Sequence, residues 1–117
     1  MNDCLIIKKK FLDKIIRGEK TWEIRGSQTL KRGLIGLIES GSGKVVATCE
    51  VINCHGPFTI EELKKYNDKT KIENEFNIKY KKIYAWELGN VKKLDNPIHY
   101  KHPQGAIIWV KVNLNLN

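Results

Sequence analysis

Residues 18–25 read Gly18-Glu19-Lys20-Thr21-Trp22-Glu23-Ile24-Arg25 and join a predicted helix to a predicted strand. Upstream, apolar side chains at positions 11, 12, 15 and 16 recur with helical spacing, which predicts a short amphipathic helix. Gly18 follows the last of them and can take the left-handed conformation that ends a helix. From Thr21 the pattern alternates as in a strand, so the stretch predicts a helix, a turn and a strand in succession.

The two faces of this strand differ in chemistry. Alternation places Trp22 and Ile24 on one face, which we expect to join the core. The other face carries Thr21 and, together with the turn before it, three ionisable side chains: Lys20, Glu23 and Arg25. If that face lines a cleft, the three converge on a ligand. The other interpretation is a solvated ion pair contributing less than about 1 kcal/mol, which is the commoner case for an arbitrary strand.

The rest of the chain alternates predicted strands with a second helix. Strands are expected at residues 4–7, 34–39, 44–53, 82–88 and 106–112, with a Ser/Gly hairpin turn at 40–43. Thr59 and Glu62 have the spacing of a capping box, which predicts a helix from Ile60. Residues 67–82 fit either a helix or a loop. The pattern predicts an α+β fold with a small, partly open β-barrel, as one domain over residues 1–117.

Composition indicates a folded intracellular domain. Of 117 residues, 41% are apolar, enough for one core without covalent staples. The three cysteines (Cys4, Cys49 and Cys54) have no C-x-x-C spacing, so we expect reduced thiols and neither disulfide nor zinc, with Cys49 in the core. No apolar run is long enough to cross a bilayer and the first residues do not resemble a signal peptide, so a cytoplasmic location is expected.

The net charge of +8 favours a polyanionic partner such as nucleic acid. A general bias towards Lys, Asn and Ile explains the charge equally well, so charge alone does not decide between nucleic-acid binding and an ordinary basic surface.

Several further residues permit a functional and a structural interpretation. His55, predicted in a loop, is either an acid/base group or, more commonly, a solvated side chain. His99 and His102 are three apart without accompanying carboxylates, so no metal is expected.

Tyr84 and Trp86 either stack on a base or pack in the core, with Glu87 on the opposite strand face, whereas Trp109 fits the core. In the turn at residues 100–105, Gly105 bends the backbone and three polar side chains are candidate ligand contacts: Lys101, His102 and Gln104.

The spacing Gly-x-Lys-x-x-Glu-x-Arg, met at Gly18, Lys20, Glu23 and Arg25, resembles the signature of the ASCH domain family, a branch of the PUA-like β-barrel superfamily. The preceding helix, the following hairpin and the late strand around Trp86 are similar in order, so the resemblance covers most of residues 4–112. It implies a small PUA-like β-barrel with flanking helices, in which the motif residues line a cleft beneath the first helix.

The same resemblance implies a function in RNA binding or RNA processing. Members of the family include RNA-binding modules, RNA-cleaving enzymes and a bacterial amidohydrolase that deacetylates N4-acetylcytidine. In the amidohydrolase, the lysine that matches Lys20 is taken as catalytic, but a threonine occupies the position of Glu23. The acidic residue of that enzyme falls in a region where Glu73 and Glu75 are the nearest candidates here. Glu23 would favour a protonated Lys20, which suits a phosphate or an oxyanion.

Three functions follow as expectations. The favoured one is a module that binds single-stranded RNA or a nucleotide and needs no cofactor. Its central residues would be Lys20 and Glu23. The surrounding binding residues would be Arg25, Thr21, Trp86, Lys101, His102 and Gln104. The alternative is a small hydrolase on a modified nucleoside, or an RNA-cleaving nuclease, with Lys20 and Glu23 as the acid/base pair. The third is a protein-interaction domain without nucleic acid.

Overall fold

The computed structural model describes residues 1–115 as one six-stranded sheet with short helices. In chain order the elements are β1 (Asn2–Ile7), α1 (Lys9–Ile16), β2 (Trp22–Arg25), β3 (Gly33–Glu39), β4 (Lys44–Phe58), α2 (Ile60–Lys64), α3 (Asn67–Thr70), a 3₁₀ turn (Glu75–Asn77), β5 (Ile83–His99) and β6 (Trp109–Val112).

The sheet has the strand order β2-β5-β4-β3-β1-β6. Its pairs are antiparallel except β1 with β3, which are parallel and separated in the chain by α1 and β2. Strands β2 and β6 form the two edges, so the sheet curls into a half-barrel without closing. The predicted α+β fold with a partly open barrel and flanking helices is confirmed.

Helix α1 and the curled sheet enclose the main core. Leu12 and Ile15 on the inner face of α1 are buried against strand residues such as Leu37 and Cys49. The burial of these apolar side chains fixes α1 on the sheet, because apolar area removed from water is the main favourable contribution to packing. The position of α1 in turn decides where the following turn and β2 lie.

Local sequence signals were accurate. Gly18 has a φ of +79°, the left-handed conformation expected after α1. Thr59 and Glu62 form the predicted capping box, with each side chain accepting the backbone N–H of the other residue. Residues 40–43 turn between β3 and β4, and Cys49 is buried as expected.

Strands β4 and β5 are longer than predicted, which changes the setting of His55. The prediction that the strand ends at residue 53 and leaves His55 in a loop was wrong, because β4 continues to Phe58. Strand β5 extends far beyond residue 88 and offers a pairing partner over this whole length, with register shifts that accommodate the irregular part. His55 therefore lies in the sheet opposite Ala85.

Three isoleucines predicted in the core lie outside it. Ile107 and Ile108 are 78% and 37% exposed, because they precede β6, although the carbonyl of Ile108 still accepts the N–H of Ile6 at 2.9 Å. Ile24 is only half-buried, since β2 is an edge strand beside a cleft. Trp109 is half-buried and packs against the core as a stacked partner of Trp86, with ring centroids 5.7 Å apart.

Residues 67–82 combine both predicted alternatives. The segment contains α3 and the 3₁₀ turn, joined by irregular backbone. It crosses beside the edge strand β2, and Thr21 N–H donates to the carbonyl of Lys69 at 2.9 Å.

Within residues 1–115, no helix has the length and apolar character needed to span a membrane.

Candidate functional site

The turn between α1 and β2 places Lys20 beneath the helix. The carbonyl of Lys14 accepts the backbone N–H groups of both Glu19 and Lys20, at 3.0 and 3.1 Å. These bonds hold the turn against the last turn of α1. As a result, the side chain of Lys20 runs inward between α1 and the end of α3 instead of into solvent.

The ammonium of Lys20 is buried and has a fixed partner. Lys20 is only 2% exposed, and its Nζ donates to the carbonyl oxygen of Thr70 at 2.6 Å. The same nitrogen lies 5.4 Å from the ring centre of Phe11 and 3.9 Å from Oε1 of Glu23. One short hydrogen bond to a neutral carbonyl therefore positions the charge, with a carboxylate nearby.

Glu23 and Arg25 form an ion pair beside it, in which two guanidinium nitrogens donate to one carboxylate oxygen. Oε2 of Glu23 accepts from Nε of Arg25 at 3.1 Å and from Nη2 at 2.9 Å. Nη2 also donates to the carbonyl of Ile6 at 2.7 Å, and the guanidinium lies 5.6 Å from the ring centre of Trp86. Planar, multiply bonded guanidinium groups are well fixed, so Arg25 holds the Glu23 carboxylate in place.

Burial changes the acidity of Lys20. Its pKa is lowered from 10.5 to about 8: desolvation is the main cause, Glu23 opposes the shift, and the nearby charges of Lys14 and Arg25 add to it. Glu23 thus acts in the expected direction, but burial outweighs it. With this pKa, about nine tenths of the Lys20 side chains are protonated at pH 7.

Lys20 and Glu23 form the floor of a cleft of about 460 Å³ between α1 and residues 72–80, whereas Arg25 lines a smaller neighbouring cavity. The lining of the cleft includes more basic than acidic side chains. The acidic ones are Glu23 and Glu73, and the basic ones are Lys8, Lys10, Lys14, Lys20 and Lys79. This excess of positive charge in a partly enclosed space favours an anionic ligand.

Two aromatic side chains that sequence reasoning did not assign to a site also line the cleft. Phe11 was predicted only as part of the apolar face of α1, and Tyr80 lies in the segment predicted as either a helix or a loop. Tyr80 reaches the cleft because it packs over Gly26, where a β-carbon would come within 2.6 Å of its ring. Neither residue carries a local signal for this role, since it depends on the path of residues 72–80.

The other predicted binding residues do not share this cleft. Thr21 is exposed and uses its backbone to hold α3, and Trp86 is buried, with Nε1 donating to the carbonyl of Ser27 at 2.9 Å. Lys101 and Gln104 are exposed on the turn after β5. His102 lies on the same turn but lines a separate cavity of about 560 Å³.

The two acidic candidates of the second helical region differ in position. Glu73 lines the Lys20 cleft. Glu75 is buried and accepts a hydrogen bond from the side-chain amide of Asn67 at 2.8 Å, which gives it a structural contact within the segment. Of the two, Glu73 is therefore the one placed to reach a ligand.

His55 and Glu87 form a separate pair away from Trp86. His55 Nε2 lies 2.8 Å from Oε1 of Glu87, and Trp22 stacks on the imidazole with ring centroids 4.6 Å apart. Glu87 thus faces away from the buried Trp86, as strand alternation predicted. In the described part of the chain, no three His, Cys, Asp or Glu side chains are grouped as metal ligands.

Comparison with known protein families matches residues 5–98 to the ASCH domain, and the chain belongs to this family. The match includes the whole Lys20, Glu23 and Arg25 cluster and confirms the resemblance seen in the sequence.

Solved structures share the fold at low sequence identity. The ASCH protein from Zymomonas mobilis is 15% identical, with a TM-score of 0.70 over 96% of this chain and 87% of that one. A tyrosine-to-phenylalanine mutant of the Zymomonas mobilis protein is also 15% identical, with a TM-score of 0.71 over 96% of this chain and 90% of the mutant chain. No curated protein sequence matches this chain.

Proposed function

We propose that this protein binds single-stranded RNA or a nucleotide in the cleft between α1 and residues 72–80. The observation that carries the proposal is the buried pair of Lys20 and Glu23 on the floor of a cleft with predominantly basic walls, with Arg25 holding Glu23 from the side. Membership of the ASCH family supports a nucleic-acid ligand.

Each member of the cluster has a role in this proposal. The Lys20 ammonium has three protons and donates one to Thr70, so others are free for a phosphate oxygen or a base carbonyl. Oε2 of Glu23 is occupied by Arg25, whereas Oε1 faces Lys20 at 3.9 Å, beyond hydrogen-bonding distance. Oε1 is therefore available to accept an N–H or O–H group of the ligand.

The walls of the cleft complement this polar floor. Phe11 and Tyr80 present aromatic surface beside Glu23, and a base stacked on such a surface gains about 1 to 3 kcal/mol. The basic residues around the entrance attract the phosphate backbone regardless of sequence. Binding should consequently weaken as salt concentration rises.

A hydrolase is the second candidate, and the lowered pKa of Lys20 favours it. A lysine with a pKa of about 8 is partly deprotonated at neutral pH, and Glu23 lies near enough to exchange a proton through the ligand or a water molecule. Glu73 on the cleft wall is a further acid. The substrate would be a modified nucleoside or an RNA phosphodiester.

One experiment separates the two functions. The wild type, Lys20→Met and the control Lys65→Met, at an exposed lysine outside the cleft, are titrated with fluorescent single-stranded RNA, and the RNA and N4-acetylcytidine are tested for turnover. Binding without turnover, lost only in Lys20→Met, supports the binding function. Turnover lost only in Lys20→Met makes the protein an enzyme, and absence of binding and turnover in the wild type refutes both.

A further inference from the structure

The Lys20 cleft is the first of three adjoining cavities along one side of the molecule. A middle cavity of about 210 Å³ shares Lys8, Glu23 and Tyr80 with the cleft. The third cavity, of about 560 Å³, shares Ser40 and Ile107 with the middle one. Because neighbouring cavities share lining residues, they lie side by side from α1 to the turn between β3 and β4.

The middle cavity is small and basic. Arg25 lines it, and no hydrogen bond within residues 1–115 uses its Nη1 atom. The described residues contain no buried side-chain nitrogen without a partner, so Nη1 is accessible. Lys8 and the hydroxyl-bearing Ser40 also line this cavity. A fixed guanidinium with free N–H groups, beside a lysine, suits a phosphate oxygen.

The third cavity has a different chemistry. His102 Nε2 lies 2.8 Å from the carbonyl oxygen of Ala106, and Nδ1 lies 2.9 Å from the hydroxyl of Tyr100. Since a carbonyl only accepts, Nε2 carries the proton in neutral His102, and Nδ1 accepts from Tyr100. The polar atoms of this imidazole are thus engaged within the protein. Its ring, the Tyr100 ring and Ile107 provide surface for a flat, largely apolar group.

We propose that the third cavity is a second nucleoside subsite, so that the ligand is a strand in which one phosphodiester joins two bound nucleosides. The first nucleoside occupies the Lys20 cleft, the phosphodiester lies at Arg25 and Lys8, and the second nucleoside contacts Tyr100 and His102. This proposal rests on the proposed RNA-binding function and makes it specific: the protein recognises a chain and not a free nucleotide. The succession of a large, a small and a large cavity matches nucleoside, phosphate and nucleoside.

The test compares a ligand with more negative charge and one nucleoside with a ligand that has less charge and two nucleosides. A nucleoside 5′-monophosphate carries a charge of about −1.5 to −2 at pH 7, more than the single negative charge of a dinucleoside monophosphate. Electrostatic attraction alone therefore favours the mononucleotide, whereas a second subsite favours the dinucleoside. Both ligand types, with adenosine and with uridine, are titrated against wild type, His102→Ala and the control His99→Ala, whose histidine is exposed and lines none of the three cavities.

We expect the wild type to bind the dinucleoside monophosphates about tenfold more tightly than the mononucleotides, because stacking of one additional base increases affinity by about this factor. His102→Ala should lose this difference and retain mononucleotide affinity, and His99→Ala should retain both. Equal affinity for the two ligand types in the wild type overturns the second subsite and leaves the proposed function intact. Equal weakening of both ligands by His102→Ala also overturns the assignment, and absence of binding by the wild type overturns the proposed function itself.

Discussion

Nζ of Lys20 lies 3.9 Å from Oε1 of Glu23, so the two opposite charges are neighbours without a direct hydrogen bond. Each is held by a different group: Lys20 by the carbonyl of Thr70 and Glu23 by the guanidinium of Arg25. A directly bonded pair would satisfy both charges internally. Here the separation leaves Oε1 of Glu23 without a hydrogen-bond partner among the described residues, beside the Lys20 ammonium.

The stability of the protein should depend on the ionisation of Lys20. Its pKa is about 8 in the folded state and 10.5 ordinarily, so below pH 8 the side chain is charged in both states and its burial is unfavourable. Between about pH 8 and 10.5 the unfolded chain binds more protons, and the free energy of unfolding therefore rises with pH. We expect wild type to gain stability relative to Lys20→Met across this window in denaturant titrations. A constant difference would show that the pKa of Lys20 is not lowered.

The two candidate functions require opposite pH profiles. If the Lys20 ammonium binds RNA, the affinity should fall as pH rises through about 8, because the positive charge is lost. If the free amine is a base or nucleophile, turnover should increase over the same range. Glu23→Gln should move either profile to lower pH, since it removes the charge that stabilises the ammonium. Fluorescence titrations and product assays between pH 6.5 and 9.5 measure both.

Arg25→Lys should destabilise the fold despite the retained charge. Lysine cannot reproduce the two bonds from Arg25 to Glu23 together with the bond to the carbonyl of Ile6, so the buried carboxylate loses its positioning. We expect a loss of about 2 kcal/mol in the free energy of unfolding, measured in urea. Arg32→Lys, at an exposed arginine, is the control and should change it by less than about 0.5 kcal/mol. Equal effects of the two substitutions would contradict the structural role of Arg25.

Lys8→Ala should reduce the salt dependence of RNA binding. Lys8 is exposed and lines both the cleft and the middle cavity, which is the proposed position of the phosphodiester. Loss of one phosphate contact should lower the slope of log affinity against log salt by about 1. Lys92→Ala, at an exposed lysine of β5 that lines none of the three cavities, should leave the slope unchanged. A similar decrease in both variants would indicate attraction by the whole basic surface.

Thr59→Ala should weaken the start of α2. The substitution removes the side-chain oxygen that accepts the N–H of Glu62 and so breaks one half of the capping box. A loss of about 1 kcal/mol in the free energy of unfolding is expected, and Thr59→Ser should retain most of the stability. If the serine variant is as unstable as the alanine variant, the effect does not come from the cap.

Features encoded by neighbouring residues could be predicted from the sequence. The end of α1 at Gly18, the hairpin turn at residues 40–43 and the cap at Thr59 all depend on side chains a few positions apart. The motif residues around Lys20 were identified by their spacing, and the structure brings Lys20, Glu23 and Arg25 together.

Features that depend on contacts between distant parts of the chain could not be predicted from the sequence. The continuation of β4 through His55 depends on pairing with β5, more than 25 residues away in the chain. Ile107 and Ile108 have the composition of a buried strand but precede β6, which begins at Trp109. Tyr80 enters the cleft because of the path that residues 72–80 take beside β2. The periodicity of apolar residues in the sequence does not predict this path.

The most direct test of the proposed RNA-binding function is a titration of wild type and Lys20→Met with a short single-stranded RNA at two salt concentrations, with Lys65→Met as the control. We predict salt-sensitive binding by wild type and Lys65→Met, and at least about tenfold weaker binding by a folded Lys20→Met. Equal affinity of all three proteins for the RNA would contradict a binding site at Lys20.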